Sequence, residues 1–203
     1  MRSLSEIDTI SKRALRAKGF SWGISEEIGK SIKQLELFGL PGLKNLNQYL
    51  KIYEKNKFHQ IKIVSKNNIS ENNFHCPISS GIGFLDQIKS LEKLNSVKFN
   101  KIAYPILFLS FVSRASEVLG KKILLKMDEK EFILNFNQSI FGNYYKNEIW
   151  ENANTVLINF LDNNNSFSEE EWKDMTKLAN ATFVDESDEL KEKSAGAGLT
   201  DND

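Results

Sequence analysis

The sequence predicts an α+β fold: an N-terminal three-helix segment packed on a mixed or antiparallel sheet, with a C-terminal helix and a Gly-rich tail. Three observations carry this expectation. Apolar residues recur at helical spacing over 3–55, strand-like apolar patterns begin at Phe58, and an acidic amphipathic stretch follows the last of them. The boundaries read as a single domain, 1–203, divided into a helical segment at 3–55, a sheet-containing body at 58–184 and an acidic, then Gly-rich segment at 185–203.

Ser3 and Glu6 stand at the spacing of a capping box, and Leu4, Ile7, Ile10, Ala14 and Ala17 form one stripe that stops at Gly19. Ser25 is placed to cap a second helix, with Glu26 and Glu27 beside its positive end and Ile28, Ile32, Leu35 and Phe38 as its apolar face. Pro41 opens a third, in which Leu43, Leu46, Leu50 and Tyr53 recur at helical spacing.

"FHQIKIV" (58–64) alternates as a half-buried strand does. "FHCPISSGIGFLDQIKSLEKL" reads as a Gly-rich loop feeding a helix marked by Phe84, Ile88 and Leu91. The continuous apolar run 104–112 reads as a buried strand followed by a short helix closing at Gly120. "KILLKM" and "EFILNF", separated by Asp128–Glu129–Lys130, read as a hairpin, and "TVLINFL" (155–161) as a further strand. Ser168 caps the helix that contains "SEEEWKDMTKLAN".

Composition narrows the function classes. Lys plus Arg and Asp plus Glu both number 27, so no global field draws in nucleic acid or an anionic membrane, and neither is expected as a partner. The longest apolar run is too short to span a bilayer. One cysteine, Cys76, excludes an internal disulfide and fits a reducing cytoplasm, and the N-terminus lacks the apolar core of a signal peptide.

No dinucleotide or P-loop signature occurs, since Gly196 and Gly198 are followed by Asp201 where a third glycine would stand. His75 and Cys76, beside Ser79 and Ser80, form a polar cluster, but neighbouring side chains on a strand point apart, so Cys76 reads as a buried residue rather than a nucleophile. Arg114 follows the apolar run where a strand would leave the core. A guanidinium there is suited to a carboxylate or phosphate, and equally to an internal salt bridge. Trp22 suits stacking on a ligand or, the favoured reading, plugging the interhelical core. The tail "KSAGAGLTDND" combines a permissive backbone with Thr200, Asp201, Asn202 and Asp203, hard oxygen donors of the kind that ligate a divalent cation. Composition alone makes it a frayed terminus.

The combination of "FSWGISEEIGKSIKQLELFGLPGL", "YPILFLSFVSRAS" and "VDESDELKEKSAGAGLTDND" resembles an uncharacterised bacterial family catalogued only as a domain of unknown function. The likeness implies that the terminal Gly-Ala-Gly-Leu-Thr-Asp-Asn-Asp is a packed, working segment. In that family the ending usually follows a Ser-Arg pair, whereas here Ser187 is followed by Asp188. A fainter likeness joins "LFGLPGLKNLNQYL" to the N-terminal helices of the second-type malate/lactate dehydrogenase family. Leu40–Pro41–Gly42 stands where that family carries its histidine, and the chain is too short for the family's nicotinamide domain.

Two functions from different classes are therefore expected. The first is a small-molecule enzyme of intermediary metabolism acting on a polar or anionic metabolite. Arg114 orients the anion, Asp201 and Asp203 serve as general base or cation ligands, and Trp22, Ser187, Gly196, Gly198, Thr200 and Asn202 line the site. The alternative is a non-catalytic accessory subunit whose tail docks into a partner or a second copy, giving a homo-oligomer.

Overall fold

Helix α1, Leu4–Ala17, begins where the sequence places it: Ser3 Oγ accepts from Glu6 N (3.2 Å) and the Glu6 carboxylate accepts from Ser3 N (2.8 Å). Helix α2, Trp22–Leu37, starts one turn earlier than expected. Its cap is Ser21, whose Oγ accepts from Ile24 N, while Ser25 lies inside the helix and donates back to the Ser21 carbonyl (2.8 Å). Helix α3, Gly42–Ile52, follows Pro41 directly. The three helices bury Leu15, Ile28, Ile32, Leu35, Leu46 and Tyr49 among themselves and the body that follows.

The computed structural model describes residues 2–54, 57–144 and 146–183. The chain divides into two compact units, one running to Asn163 and one from Asn164 onward. In the first unit, α3 is followed by the short strand β1 (Asn67–Asn68), helix α4 (Pro77–Asp86), the one-turn helix α5 (Ile88–Leu91) and a 3-10 turn. Strand β2 (Ser96–Ala103), helix α6 (Pro105–Leu119), β3 (Ile123–Met127), β4 (Lys130–Leu134), β5 (Ile140–Gly142) and β6 (Asn152–Phe160) complete it. Among its described residues the second unit holds α7, Glu169–Asn180, capped by Ser168 as expected, with Glu171 completing a capping box.

The sheet has the order β1-β2-β6-β3-β4-β5. Only β1 and β2 run parallel; every other named pair is antiparallel, so the sheet is mixed. Its register puts one face in the core: Phe99 pairs with Val156, Val97 with Ile158, and Ile158 in turn with Leu125. Lys98, Ile133 and Phe141 point to the opposite, open face. Helix α6 covers the buried face, with α4 packed on it and reaching β6 through Phe84 against Phe160, and α2 and α3 pack on α6, which therefore lies between the N-terminal helices and the sheet.

Three expectations are corrected here. The apolar run 104–112 is not a strand: it is the first half of α6, and the strand is the preceding β2. A helix buried on every side has no polar stripe, so its sequence is continuous rather than periodic. Proline at its first position and the left-handed backbone of Tyr104 (φ 44°) mark its start, and Gly120 (φ 65°) its end. The segment 58–64 forms no strand either. Its contribution is one bridge, His59 to His75, while the main chain around Ile61 and Val64 is tied to Ser79 Oγ and Gln87 Oε1. The Gly-rich stretch is helix and not loop, because Gly81 and Gly83 make room in α4 for close neighbours.

Gly81 is the tightest of these. A Cβ there would run into the Phe111 ring of α6. Gly81→Ala is expected to destabilise the fold by about 1–3 kcal/mol in urea denaturation. A gain of up to about 1 kcal/mol, the ordinary helix preference for alanine, would show that the α4–α6 contact is loose.

Candidate functional site

Arg114 sits on α6, not at a strand end, and is the one residue between Pro105 and Ser116 that is not buried. Its guanidinium Nη1 donates to the Glu27 carboxylate of α2, so the internal salt bridge that the sequence admitted is formed. Glu27 also meets Lys30 (3.4 Å), one turn along the same helix. Among the described residues Arg114 makes no other side-chain hydrogen bond, which leaves most of its donor fork directed elsewhere.

Beside this pair lies a groove of about 450 Å³, walled by α2, α6 and the turn between β4 and β5. Lys30, Lys33 and Arg114 bring three cations to its lining, against the single carboxylate of Glu117. Gln34 braces the three walls: its amide donates to Ser113 Oγ on α6 (2.8 Å) and to the Gln138 carbonyl in the turn (3.1 Å). Gln138 holds a left-handed backbone (φ 63°), and its N–H closes the turn on the Asn135 carbonyl (3.0 Å). Asn137, in the same turn, also lines the groove. Ser31 is buried on the α2 wall, and its Oγ has no hydrogen-bond partner among the described residues. A buried hydroxyl without a partner costs about 1–3 kcal/mol. At the C-terminal end of α2, Leu37 and Phe38 add an apolar lip.

Trp22 is elsewhere. It is 61% exposed at the first position of α2, and the Arg16 guanidinium covers its ring at 4.7 Å. The expected interhelical plug is thus a surface cation–π pair, because the residue precedes the apolar face that begins at Ile24 and Ile28. Ser187, Gly196, Gly198, Thr200, Asp201, Asn202 and Asp203 lie outside the described residues. The structure therefore brings Arg114 together with Lys30, Ser31, Lys33 and Gln34, none of which the sequence singled out. Lys30, Ser31 and Gln34 do share one face of α2 with Glu27 at helical spacing, which is the signal that was available.

The His75–Cys76 cluster is core. Cys76 is buried, its Sγ 3.1 Å from Tyr49 Oη, and it caps α4 by accepting from Ser79 N (3.4 Å). Burial first, and the adjoining thiol second, push the Tyr49 phenol well above its ordinary value. His75 is fully enclosed, its ring edge-on to His59 (4.9 Å) and Phe99 (5.8 Å), and neither ring nitrogen has a partner among the described residues. Burial, and then the nearby His59, lower its pKa and hold it neutral. Among the described residues no group of three or more His, Cys, Asp or Glu side chains is arranged to hold a metal ion.

With this geometry in view, the chain resembles a family described as a protein of unknown function, DUF3726, whose model matches residues 2–74. The match covers α1, α2, α3 and β1, and so includes the α2 wall of the groove but not the α6 wall. No curated protein and no solved structure matches the chain.

The neutral state of His75 sets a pH dependence. In the unfolded chain the imidazole takes up a proton near pH 6.5, whereas the folded protein resists it. Stability is therefore full above about pH 6.5 and falls as pH drops through that value, by at most about 1.4 kcal/mol per unit for this one proton. Urea midpoints measured between pH 7.5 and 5 should decline, and His75→Leu should flatten the decline. An equal slope in both proteins would mean that His75 is not its source.

Proposed function

We propose that the protein binds a small, polar, anionic metabolite in the groove between α2 and α6. The observation that carries this reading is the convergence of Arg114, Lys30 and Lys33 on one cavity. A pocket of this volume is within the range that small ligands occupy. Arg114 is held by Glu27 on one side only, so its position is fixed while donors remain for two parallel bonds to a carboxylate or phosphate. The Gln34 brace keeps the three walls at fixed separation, so little ordering is needed when the ligand arrives.

Acetate and orthophosphate are suitable probes of the anion site. In calorimetric or NMR titrations of the full chain, Arg114→Met should weaken both by about tenfold or more, the loss of roughly one charge-assisted hydrogen bond. Raising the salt concentration should weaken both further. Equal affinity in the variant and the parent would remove Arg114 from the site.

The enzymatic form of this reading adds Asp201 and Asp203 as general base or as ligands of a divalent cation, with Ser187, Gly196, Gly198, Thr200 and Asn202 around the substrate. The single buried cysteine favours a reducing compartment such as the cytoplasm. Deleting residues 196–203 should abolish binding of the metabolite while far-UV circular dichroism is unchanged. Unchanged metabolite binding would take the tail out of the mechanism and leave a binding module.

A further inference from the structure

Resting on the anion-binding reading above, we infer that the metabolite is amphipathic: an anionic carboxylate or phosphate head attached to an apolar body that lies along α2. The groove is graded in chemistry along that helix. Its N-terminal end presents Lys30, close to where Glu27 fixes Arg114. The middle holds Lys33 and the Gln34 brace. The C-terminal end presents Leu37 and Phe38, 62% and 39% exposed. From Lys30 to Phe38 the helix rises roughly 12 Å, so a ligand longer than a bare anion spans from the charged end to the apolar end.

The apolar lip follows from where α2 stops. Phe38 is the C-cap residue, and Gly39 turns the chain with a left-handed backbone (φ 70°), so that Leu40 N bonds back to the Leu35 carbonyl (2.9 Å). That turn buries Leu40 and leaves Leu37 and Phe38 facing the groove. An inorganic anion would satisfy the cations and leave this surface wet; a body that covers it gains the free energy of apolar burial. Past Lys30, Lys33 and Arg114 the lining's one carboxylate is Glu117, and Leu37 and Phe38 close the groove without a further cation, so the C-terminal end offers a second anionic group no partner.

The test compares heads with and without a body on the full chain: acetate against 4-phenylbutyrate, and orthophosphate against phenyl phosphate. The body should tighten binding by about tenfold in at least one pair, and that pair identifies the head. The Leu37→Ser/Phe38→Ser double variant should lose the gain and keep the affinity for the bare head, which also reports that the site is intact. Where the double variant does not fold, NMR shifts of the parent protein decide: the body should move the Leu37 and Phe38 resonances, and shifts confined to Lys30 and Arg114 overturn the inference. Equal affinity with and without the body, or a gain that survives the double substitution, overturns it too while leaving the anion site standing. Binding of every probe that is indifferent to Arg114→Met overturns the anion site itself, and this inference with it.

Discussion

The fold depends on enclosing one helix. Every residue of α6 from Pro105 to Ser116, apart from Arg114, is buried, because α6 is covered by the sheet, by α4 and by the N-terminal helices. Enclosure imposes a condition on its polar groups: each needs a local partner. Ser110 donates to the Leu107 carbonyl (3.0 Å) and Ser116 to the Lys121 carbonyl, and Ser113 receives the Gln34 amide (2.8 Å). Arg114 cannot be satisfied that way and emerges at the α2 boundary, where Glu27 meets it. The candidate groove lies at this seam, so its position follows from the packing of α6.

How far the sequence disclosed the fold depended on exposure. Helices α1, α3 and α7 were legible because each keeps a polar face, with a capping box announcing the first and the Ser168 cap the last. The hairpin β3–β4 and strand β6 were legible for the same reason, one face being buried and one open. α6 was misread because enclosure removes the period that separates helix from strand, leaving Pro105 and Gly120 as the only local signs. The opposite error befell 58–64, whose alternation satisfied the pattern of a strand. That segment is instead fastened by side chains from α4 and the residue beyond it, contacts that no local pattern encodes. Strand β2 did alternate, with Val97 and Phe99 buried around exposed Lys98, but the louder apolar run after it drew the assignment.

The site was less legible than the fold. Arg114 was visible as a charge at the edge of an apolar run, and the internal salt bridge read for it is formed with Glu27, using only part of its donor set. Lys30, Ser31 and Gln34 carried no motif. Their meaning arises from the meeting of positions 79 and 104 residues apart, Gln34 with Ser113 and with Gln138. Trp22 went the other way: a large aromatic invites burial, but one turn of helix places it outside the interhelical contact, where Arg16 covers it.

The buried polar atoms left without partners discriminate among the places where a ligand might act. Ser11, Ser31, Ser80 and His75 all have such atoms among the described residues. His75 is enclosed between His59 and Phe99, and its depressed basicity shows an environment that rejects charge. Ser80 lies in α4, the helix that Gly81 brings hard against Phe111, where packing leaves no room for a guest. Ser11 borders a larger cleft of about 620 Å³ between α1 and α3 that is mostly apolar, with Lys44 committed to the Asn147 carbonyl (2.8 Å) and Glu36 to Leu43 N (2.7 Å). Ser31 Oγ is sealed as well, so what sets its groove apart is an accessible volume lined by cations whose hydrogen bonds are not fully used. A planar guanidinium with unused donors beside two lysines is matched by the paired oxygens of a carboxylate or phosphate, which neutral polar groups match less well.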